Sequence, residues 1–195
     1  MRILMLAVLL LGAAYASSQT TQAHSVRGPA DCSIKPDQLD ALLALPFLSF
    51  DQDHTGGWRE LQNKGCELTA AMLIDTYLVD APEEMKIIKQ EGLYFHAGQL
   101  YGMAGLRKLA VRRILRSLNL HEGANEDLAW NTYVLSTVAF LQGDREELAH
   151  QRQLLASAKP TRENKINLSV IDGLVMCFDK SYNEAYSTTC RAPIK

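Results

Sequence analysis

Apolar residues recur at helical spacing along much of this chain. The clearest stripe lies between Glu67 and Leu78, where one face carries Ala70, Leu73, Ile74, Tyr77 and Leu78. These positions follow the i, i+3, i+4, i+7 order of an amphipathic helix, so another helix must cover them. No segment shows the strict alternation and β-branched enrichment of a strand. The pattern therefore predicts an all-α protein.

A second stripe divides the segment from Leu106 to Leu118 into two faces. Its apolar face carries Leu106, Ala110, Val111, Ile114 and Leu118, and the opposite face carries Lys108, Arg112 and Arg116. Arg113 falls on the apolar side, so it needs a carboxylate partner or a route to water. The three cations on the polar face are a candidate anion-binding stripe, although such stripes are commonly just the solvated face of a helix.

The N-terminal segment has a different character. Arg2 supplies a positive charge, residues 3–11 an apolar run and Ala14-Tyr15-Ala16 a small-x-small site, which together are typical of a secretory signal peptide. The run is shorter than the roughly 20 residues of a membrane-spanning helix. We expect a signal peptide over residues 1–16, a mobile leader over 17–35, one helical domain over 36–190 and a tail over 191–195. The first helix of that domain should begin at Pro36.

All four cysteines follow that segment, at Cys32, Cys66, Cys177 and Cys190. An even number in an oxidising compartment indicates two disulfides, although four cysteines allow three connectivities. We expect Cys32 to pair with Cys66 and Cys177 with Cys190, because each pair closes a local loop. Their spacings differ from those of CxxC zinc and redox sites, so we interpret them as staples.

Composition and charge narrow the function classes only slightly. Of the 195 residues, 47% are hydrophobic and 22% are charged, which is ordinary for a packed domain. The formal net charge of -2 gives no global reason to expect nucleic acid or an acidic membrane surface as a partner. Any electrostatic partner must therefore recognise a local patch.

Motifs for metal binding or catalysis are incomplete. The segment Asp51-x-Asp53-x-Thr55-Gly56 copies the start of a calcium-binding EF-hand loop, but Gln62 stands where a bidentate carboxylate is required. Asp53 or Thr55 is instead predicted to cap a helix ahead of Trp58. The histidines lack ligand spacing, and nucleophile elbows and phosphate-binding glycine loops are missing from the sequence. We therefore expect no metal, no cofactor and no motif-defined catalytic residue.

The segment from Tyr94 to Leu118 has the pattern of a helical hairpin. Ala97, Gly98 and Ala110 are small enough for two antiparallel helices to approach closely, Tyr94 and Tyr101 fill the space beside them, and Gly105 supplies a turn. These residues lie at the offsets of a tetratricopeptide repeat, which this segment resembles. Weaker copies surround Gly65 and Gly143, and a fourth unit is expected between Lys165 and Cys190.

The resemblance implies a fold and a binding surface. It predicts a short right-handed solenoid of three to four tetratricopeptide-like (TPR-like) helical hairpins, and an irregular helical bundle is the alternative. In the family, the first helix of each hairpin lines a groove that binds peptides. The matching positions here are Phe95, Gln99, Met103, Trp130, Tyr133, Thr137 and Phe140. Aromatic residues at this spacing are also typical of a core, and the leader could cover such a groove.

Three further phrases are similar to those of a set of exported bacterial proteins with TPR-like helices. They are Phe50-Asp51-Gln52-Asp53 followed by Gly57-Trp58-Arg59, Phe95-His96-Ala97-Gly98-Gln99, and Trp130-Asn131-x-Tyr133. This resemblance implies a periplasmic location, with the extracellular space as the alternative, and it supplies no catalytic residue.

We therefore expect a binding module for a protein or peptide partner in the cell envelope, without nucleic acid as a partner and without an integral membrane span. Two alternatives stay open. One is an envelope hydrolase whose acid–base pair forms in the folded chain between His96 and a carboxylate. The other is an anion- or glycan-binding protein that uses the stripe around Arg112 and Arg116.

Overall fold

The computed structural model of the chain describes residues 31–79, 88–120 and 128–191. Within these ranges the regular secondary structure is entirely helical, as the sequence predicts. The predicted signal peptide, most of the leader and most of the C-terminal tail lie outside the described residues. Over the described ranges, none of the helices combines the length and the apolar character needed to cross a membrane.

The helices pack largely in chain order. Their bounds are α1 Pro36–Leu43, a π-helical turn Leu48–Gln52, α2 Gly57–Asn63, α3 Glu67–Val79, α4 Ile88–Met103, α5 Arg107–Leu115, α6 Trp130–Gln142, α7 Arg145–Ser157, α8 Arg162–Met176 and α9 Tyr182–Tyr186. From α2 to α8 each helix contacts the next one along the chain. The short α9 packs on α8 and also on α4, which is distant in the sequence.

Glycine turns join three pairs of consecutive helices. Gly65, Gly105 and Gly143 have φ angles of 79°, 80° and 78°, in the left-handed region that favours glycine. They separate α2 from α3, α4 from α5 and α6 from α7, at the turns that the sequence pattern predicts. The fourth predicted unit corresponds to α8 and α9.

The predicted apolar stripes face the core, with one exception. On α3, Leu73 and Ile74 are buried, and on α5, Ala110 and Ile114 are fully buried. Leu106 was expected on the same buried face but is 38% exposed. Because Leu106 is the N-cap of α5, its non-helical backbone takes it out of the helical register of the stripe.

Arg113, the cation on the apolar side of α5, has a carboxylate partner on α3. Its Nε lies 2.7 Å from Oδ1 of Asp75, and its Nη2 donates to Oδ2 at 2.9 Å. The Tyr101 hydroxyl donates to the same Oδ2 at 2.7 Å. Burial, together with this hydrogen bond, raises the pKa of Tyr101 to about 12. Of the two possibilities expected for Arg113, a carboxylate partner or a route to water, the structure has the carboxylate.

Both predicted disulfides are present, one at each end of the described helices. Cys32 and Cys66 have Cα atoms 5.4 Å apart and tie the segment before α1 to the start of α3. Cys177 and Cys190 have Cα atoms 6.1 Å apart and tie the end of α8 to the segment after α9. The helices α4 to α7 therefore lie between two crosslinked ends.

Candidate functional site

The seven side chains predicted to line a groove lie on α4 and α6, and we call them the groove surface. Five of them are buried: Phe95, Gln99, Tyr133, Thr137 and Phe140. The other two, Met103 and Trp130, are half-buried. Most of this surface is therefore covered by other parts of the chain.

Aromatic contacts join α4 to α6 at one end of the groove surface. The ring of Phe95 lies 5.1 Å from that of Trp130 and 5.0 Å from that of Tyr133, between ring centroids. The Trp130 indole donates a hydrogen bond to the carbonyl of Ser117 at 2.6 Å. These contacts hold the side chains in a packed cluster. The rings pack against one another, and the hydrogen bond to Ser117 satisfies the indole N–H.

Helix α9 covers the other end of the groove surface. The Tyr182 ring lies 5.9 Å from that of Phe140, and its hydroxyl accepts from Nε2 of Gln99 at 3.5 Å. The ring of Tyr186 lies 5.6 Å from that of Tyr182 between centroids and is tilted against it by 39°. Burial raises the pKa values of Tyr133 and Tyr182 well above that of an exposed tyrosine, so both hydroxyls are neutral at ordinary pH.

Two helical glycines allow this close approach. A Cβ on Gly102 would lie 2.8 Å from Cδ1 of Tyr182, so a larger residue would displace the ring. A Cβ on Gly173 would lie 3.2 Å from the carbonyl oxygens of Ala185 and Cys190. The C-terminal segment is therefore closely packed against both α4 and α8.

The position of α9 on the groove surface is not predicted by the sequence pattern. A local signal was present, because Ser181-Tyr182-Asn183-Glu184 is a capping box that marks a helix start. In the structure, Glu184 N donates to Oγ of Ser181 at 3.3 Å and Ser181 N donates to Oε2 of Glu184 at 3.1 Å. The local sequence does not predict that this helix packs on α4.

A buried aspartate–histidine pair lies beside α2 and α4. Asp51, at the π-helical turn, is 1% exposed, and its Oδ1 lies 2.8 Å from Nδ1 of His96 on α4. Trp58 Nε1 donates to the same oxygen at 2.9 Å, and the Gln52 side-chain amide donates to the other. The hydrolase alternative required a carboxylate beside His96, and Asp51 lies at that position.

Hydrogen bonds to Asp51 favour the ionised form of its carboxylate. Burial alone would raise the pKa of Asp51, but the hydrogen bonds from His96, Trp58 and Gln52 hold that pKa below its ordinary value. An ionised carboxylate only accepts, so Nδ1 of His96 is the donor, and in a neutral ring the lone pair is on Nε2. The His96 side chain is 24% exposed, so this ring can reach solvent.

Arg59 places a cation next to the aspartate–histidine pair. Its Nε donates to the backbone carbonyl of Asp51 at 2.9 Å, and its guanidinium lies 4.1 Å from the centre of the Trp58 ring. Burial lowers the pKa of Arg59, while the nearby Asp51 and Tyr186 act in the opposite direction. The arrangement combines a base with a fixed positive charge, the two groups that proton abstraction beside a developing anion needs.

The helix cap predicted at Asp53 or Thr55 is not formed in the structure. Oδ1 of Asp53 accepts from the backbone N–H and the hydroxyl of Thr55, both at 2.9 Å. The N-cap of α2 is Gly56, which makes no side-chain capping bond, so neither Asp53 nor Thr55 caps this helix. The prediction was wrong because the Asp53 carboxylate closes its own turn and does not reach the first helical turn.

Among the described residues, no group of three His, Cys, Asp or Glu side chains converges as metal ligands.

The basic stripe lies on an exposed face of α5. Lys108, Arg112 and Arg116 are all exposed, as the sequence predicts. The Arg116 guanidinium lies 4.2 Å from the centre of the Tyr94 ring. This stripe is separate from the groove surface, because its residues lie on α5 and its C-cap Arg116, whereas the groove surface lies on α4 and α6.

Comparison with known proteins yields no relative. No protein-family model, curated protein or solved structure matches the chain.

Proposed function

We propose that this chain is an exported binding module, built as a short right-handed solenoid of TPR-like hairpins, whose groove surface holds a helical peptide of a protein partner in the cell envelope. One observation carries the proposal. A short helix of the chain itself, α9, lies on the groove surface with Tyr182 and Tyr186 one turn apart. The surface therefore already accommodates a short helix with aromatic side chains, and a peptide is the kind of ligand that the tetratricopeptide resemblance implies.

The partner helix would compete with α9 for the same contacts. Helix α9 has only 5 residues, too few for a stable isolated helix, so its structure depends on the groove surface and on its surroundings. A partner segment that replaced it would exchange the contacts of α9 with α4 and α8 for its own. The two disulfides support an oxidising location, for which we favour the periplasm over the extracellular space.

A peptide-competition experiment tests this proposal. The chain carrying Tyr182→Ala and Tyr186→Ala lacks its own aromatic anchors, and a labelled synthetic peptide of residues 177–191 with its disulfide serves as the probe. We expect fluorescence anisotropy to show binding to this variant and roughly 30-fold weaker binding to the wild-type chain. The factor corresponds to about 2 kcal/mol for buried aromatic anchors.

Two controls test whether binding is specific to the groove surface. A peptide with both tyrosines replaced by alanine should not bind. Adding Gly102→Ile to the Tyr182→Ala/Tyr186→Ala chain, which we call the emptied chain, should remove binding because the larger side chain occupies the site of the Tyr182 ring. Circular dichroism establishes that each variant is helical. Equal affinity of the probe for the wild-type and emptied chains would contradict the proposal.

The aspartate–histidine pair favours a second candidate function, hydrolysis by water activated at His96. Nε2 of His96 would take a proton from water, and Arg59 would stabilise negative charge on the attacked acyl or phosphoryl group. A panel of chromogenic esters and phosphodiesters is the appropriate screen. Any genuine activity should fall at least about a hundredfold in His96→Gln, with the fold retained. If turnover persists in His96→Gln, the activity comes from a contaminant or from another site.

A further inference from the structure

Helix α5 carries a concentrated positive charge. Its sequence and the residue that follows contain no acidic side chain, and they hold Arg107, Lys108, Arg112, Arg113 and Arg116. Arg113 is neutralised by Asp75. The other four cations are exposed, and within the described part of the chain no carboxylate forms an ion pair with any of them. This local charge contrasts with the formal net charge of -2 for the whole chain.

Three of the four exposed side chains of α3 are apolar, and the fourth is Thr76. Leu68, Met72 and Val79 are spaced to share one side of the helix, and they are 44%, 56% and 82% exposed. A surface helix ordinarily turns polar residues to solvent, and clustered exposed apolar side chains mark interaction sites. Helix α3 contains no lysine or arginine, so its own sequence gives this face no positive charge.

The basic stripe and the apolar stripe meet at one cavity. The Asp75–Arg113 ion pair joins α3 to α5, and beside it lies a cavity of about 220 Å³. Val79 from the apolar stripe and Arg116 from the basic stripe both line this cavity, with the Tyr94 ring beneath the guanidinium. The two stripes therefore adjoin at Val79 and Arg116, and we call them together the α3–α5 face.

We propose that this α3–α5 face docks on an anionic membrane surface. Lipid phosphates would lie against Lys108, Arg112 and Arg116, and Leu68, Met72 and Val79 would enter the interface between headgroups and acyl chains. The charge complements anionic lipid, and the adjacent apolar stripe distinguishes a bilayer from a polyanion in solution, which would use only the cations. This inference goes beyond the groove proposal, since the groove surface lies on α4 and α6.

Vesicle flotation tests the docking. The full mature chain is mixed with vesicles of phosphatidylcholine alone or of phosphatidylcholine and phosphatidylglycerol in equal amounts. We expect the protein to float with the mixed vesicles and to remain unbound with the neutral ones. Binding should weaken as salt rises, because salt screens attraction between exposed charges.

Matched variants separate the two contributions. Arg112→Glu/Arg116→Glu should weaken binding to the mixed vesicles by roughly 30-fold or more, since each basic residue near such a surface contributes about 1 kcal/mol. Met72→Ser/Val79→Ser should also weaken it, at unchanged charge. The controls are Arg162→Glu/Lys165→Glu and Leu154→Ser/Ile166→Ser, which make the same changes at exposed positions on α7 and α8. Both controls should bind as the wild type does.

Three results would overturn the proposal. They are no binding to mixed vesicles, equal loss in the test and control variants, and binding to soluble polyphosphate without binding to vesicles. If Arg112→Glu/Arg116→Glu fails to fold by circular dichroism, Arg107→Glu/Lys108→Glu on the same helix makes the same charge test. The emptied-groove variant Tyr182→Ala/Tyr186→Ala should keep its vesicle binding, so failure of the groove proposal would leave this inference intact.

Discussion

Gly57 has a φ of 54°, and a Cβ built on it would lie 2.1 Å from the carbonyl oxygen of Phe50. Only glycine fits this position without displacing the backbone of the π-helical turn. The contact folds that turn back on α2, and as a result Asp51 lies within hydrogen-bond distance of Trp58 and His96. At the scale of the residue, the aspartate–histidine pair thus depends on a glycine that carries no chemistry of its own.

Alanine at this position should destabilise the fold strongly. We expect Gly57→Ala to lower the free energy of unfolding by more than about 3 kcal/mol, because it combines backbone strain with a steric clash. Gly65→Ala is the matched control, since Gly65 has a φ of 79° but nothing within 4 Å of its Cβ position. The control should cost only about 1 kcal/mol. Urea denaturation measures both, and equal losses would show that the Phe50 carbonyl moves aside easily.

Acid should weaken the fold through Asp51. The pKa of Asp51 is lower in the folded chain than its ordinary value, so the folded state binds the proton less readily than the unfolded state. Its stabilising contribution is complete above the unfolded pKa of about 4 and is lost as the pH falls through the lower folded pKa. Urea denaturation in acid should therefore give a steeper pH dependence for the wild type than for Asp51→Asn. Parallel curves would contradict this role.

At the scale of the element, α9 is held by three kinds of contact. A capping box starts the helix, Tyr182 packs on Gly102, and the Cys177–Cys190 disulfide closes the segment over a sequence separation of 13. A disulfide over so short a loop typically contributes about 3 kcal/mol. The helix therefore depends on tertiary contacts and a covalent bond more than on its own helical propensity.

Removing that disulfide should loosen α9 selectively. In Cys177→Ser/Cys190→Ser we expect faster amide hydrogen exchange in α9 and at the end of α8, with exchange in α2 and α3 unchanged. Cys32→Ser/Cys66→Ser is the control and should leave α9 exchange as in the wild type. Faster exchange throughout both variants would mean that the chain loosens as one unit.

At the scale of the whole molecule, three consecutive residues of α4 lead to three different regions. Tyr94 lies under Arg116 at the α3–α5 face, Phe95 packs between Trp130 and Tyr133, and His96 bonds to Asp51. Successive helical side chains point about 100° apart, so one helix can serve all three. We therefore expect that each region can be altered without disturbing the other two.

The stability of the chain should respond unequally at these positions. We expect Phe95→Ala to cost about 3 to 5 kcal/mol, since a buried aromatic ring leaves a cavity. Tyr94→Ala should cost much less, because that side chain is only half-buried. Urea denaturation of the two variants provides the comparison, and similar losses would argue against Phe95 as a central core contact.

Local pattern was enough for part of this structure. The stripe on α3 and the turn at Gly105 follow from spacing. The cost of an unpaired buried charge predicts that Arg113 needs a carboxylate or water, but it does not select Asp75. The pairing of Asp51 with His96 does not follow from spacing, because the residues are 45 positions apart and meet only through the turn at Gly57. The groove residues on α4 and α6 show the same limit, since helical spacing is identical for a groove and for a core. The packing of α4 on α6 and the position of α9 together determine that they are covered.

The two disulfides also define the mechanical behaviour of the chain. Under tension applied at both ends, the force would bypass the loops that the disulfides close and would act on the segment between Cys66 and Cys177. That segment would unravel to a contour length of about 40 nm, at roughly 3.5 Å per extended residue. A reducing agent would release the closed loops as additional length, so force spectroscopy would distinguish the oxidised protein from the reduced one by the size of its extension.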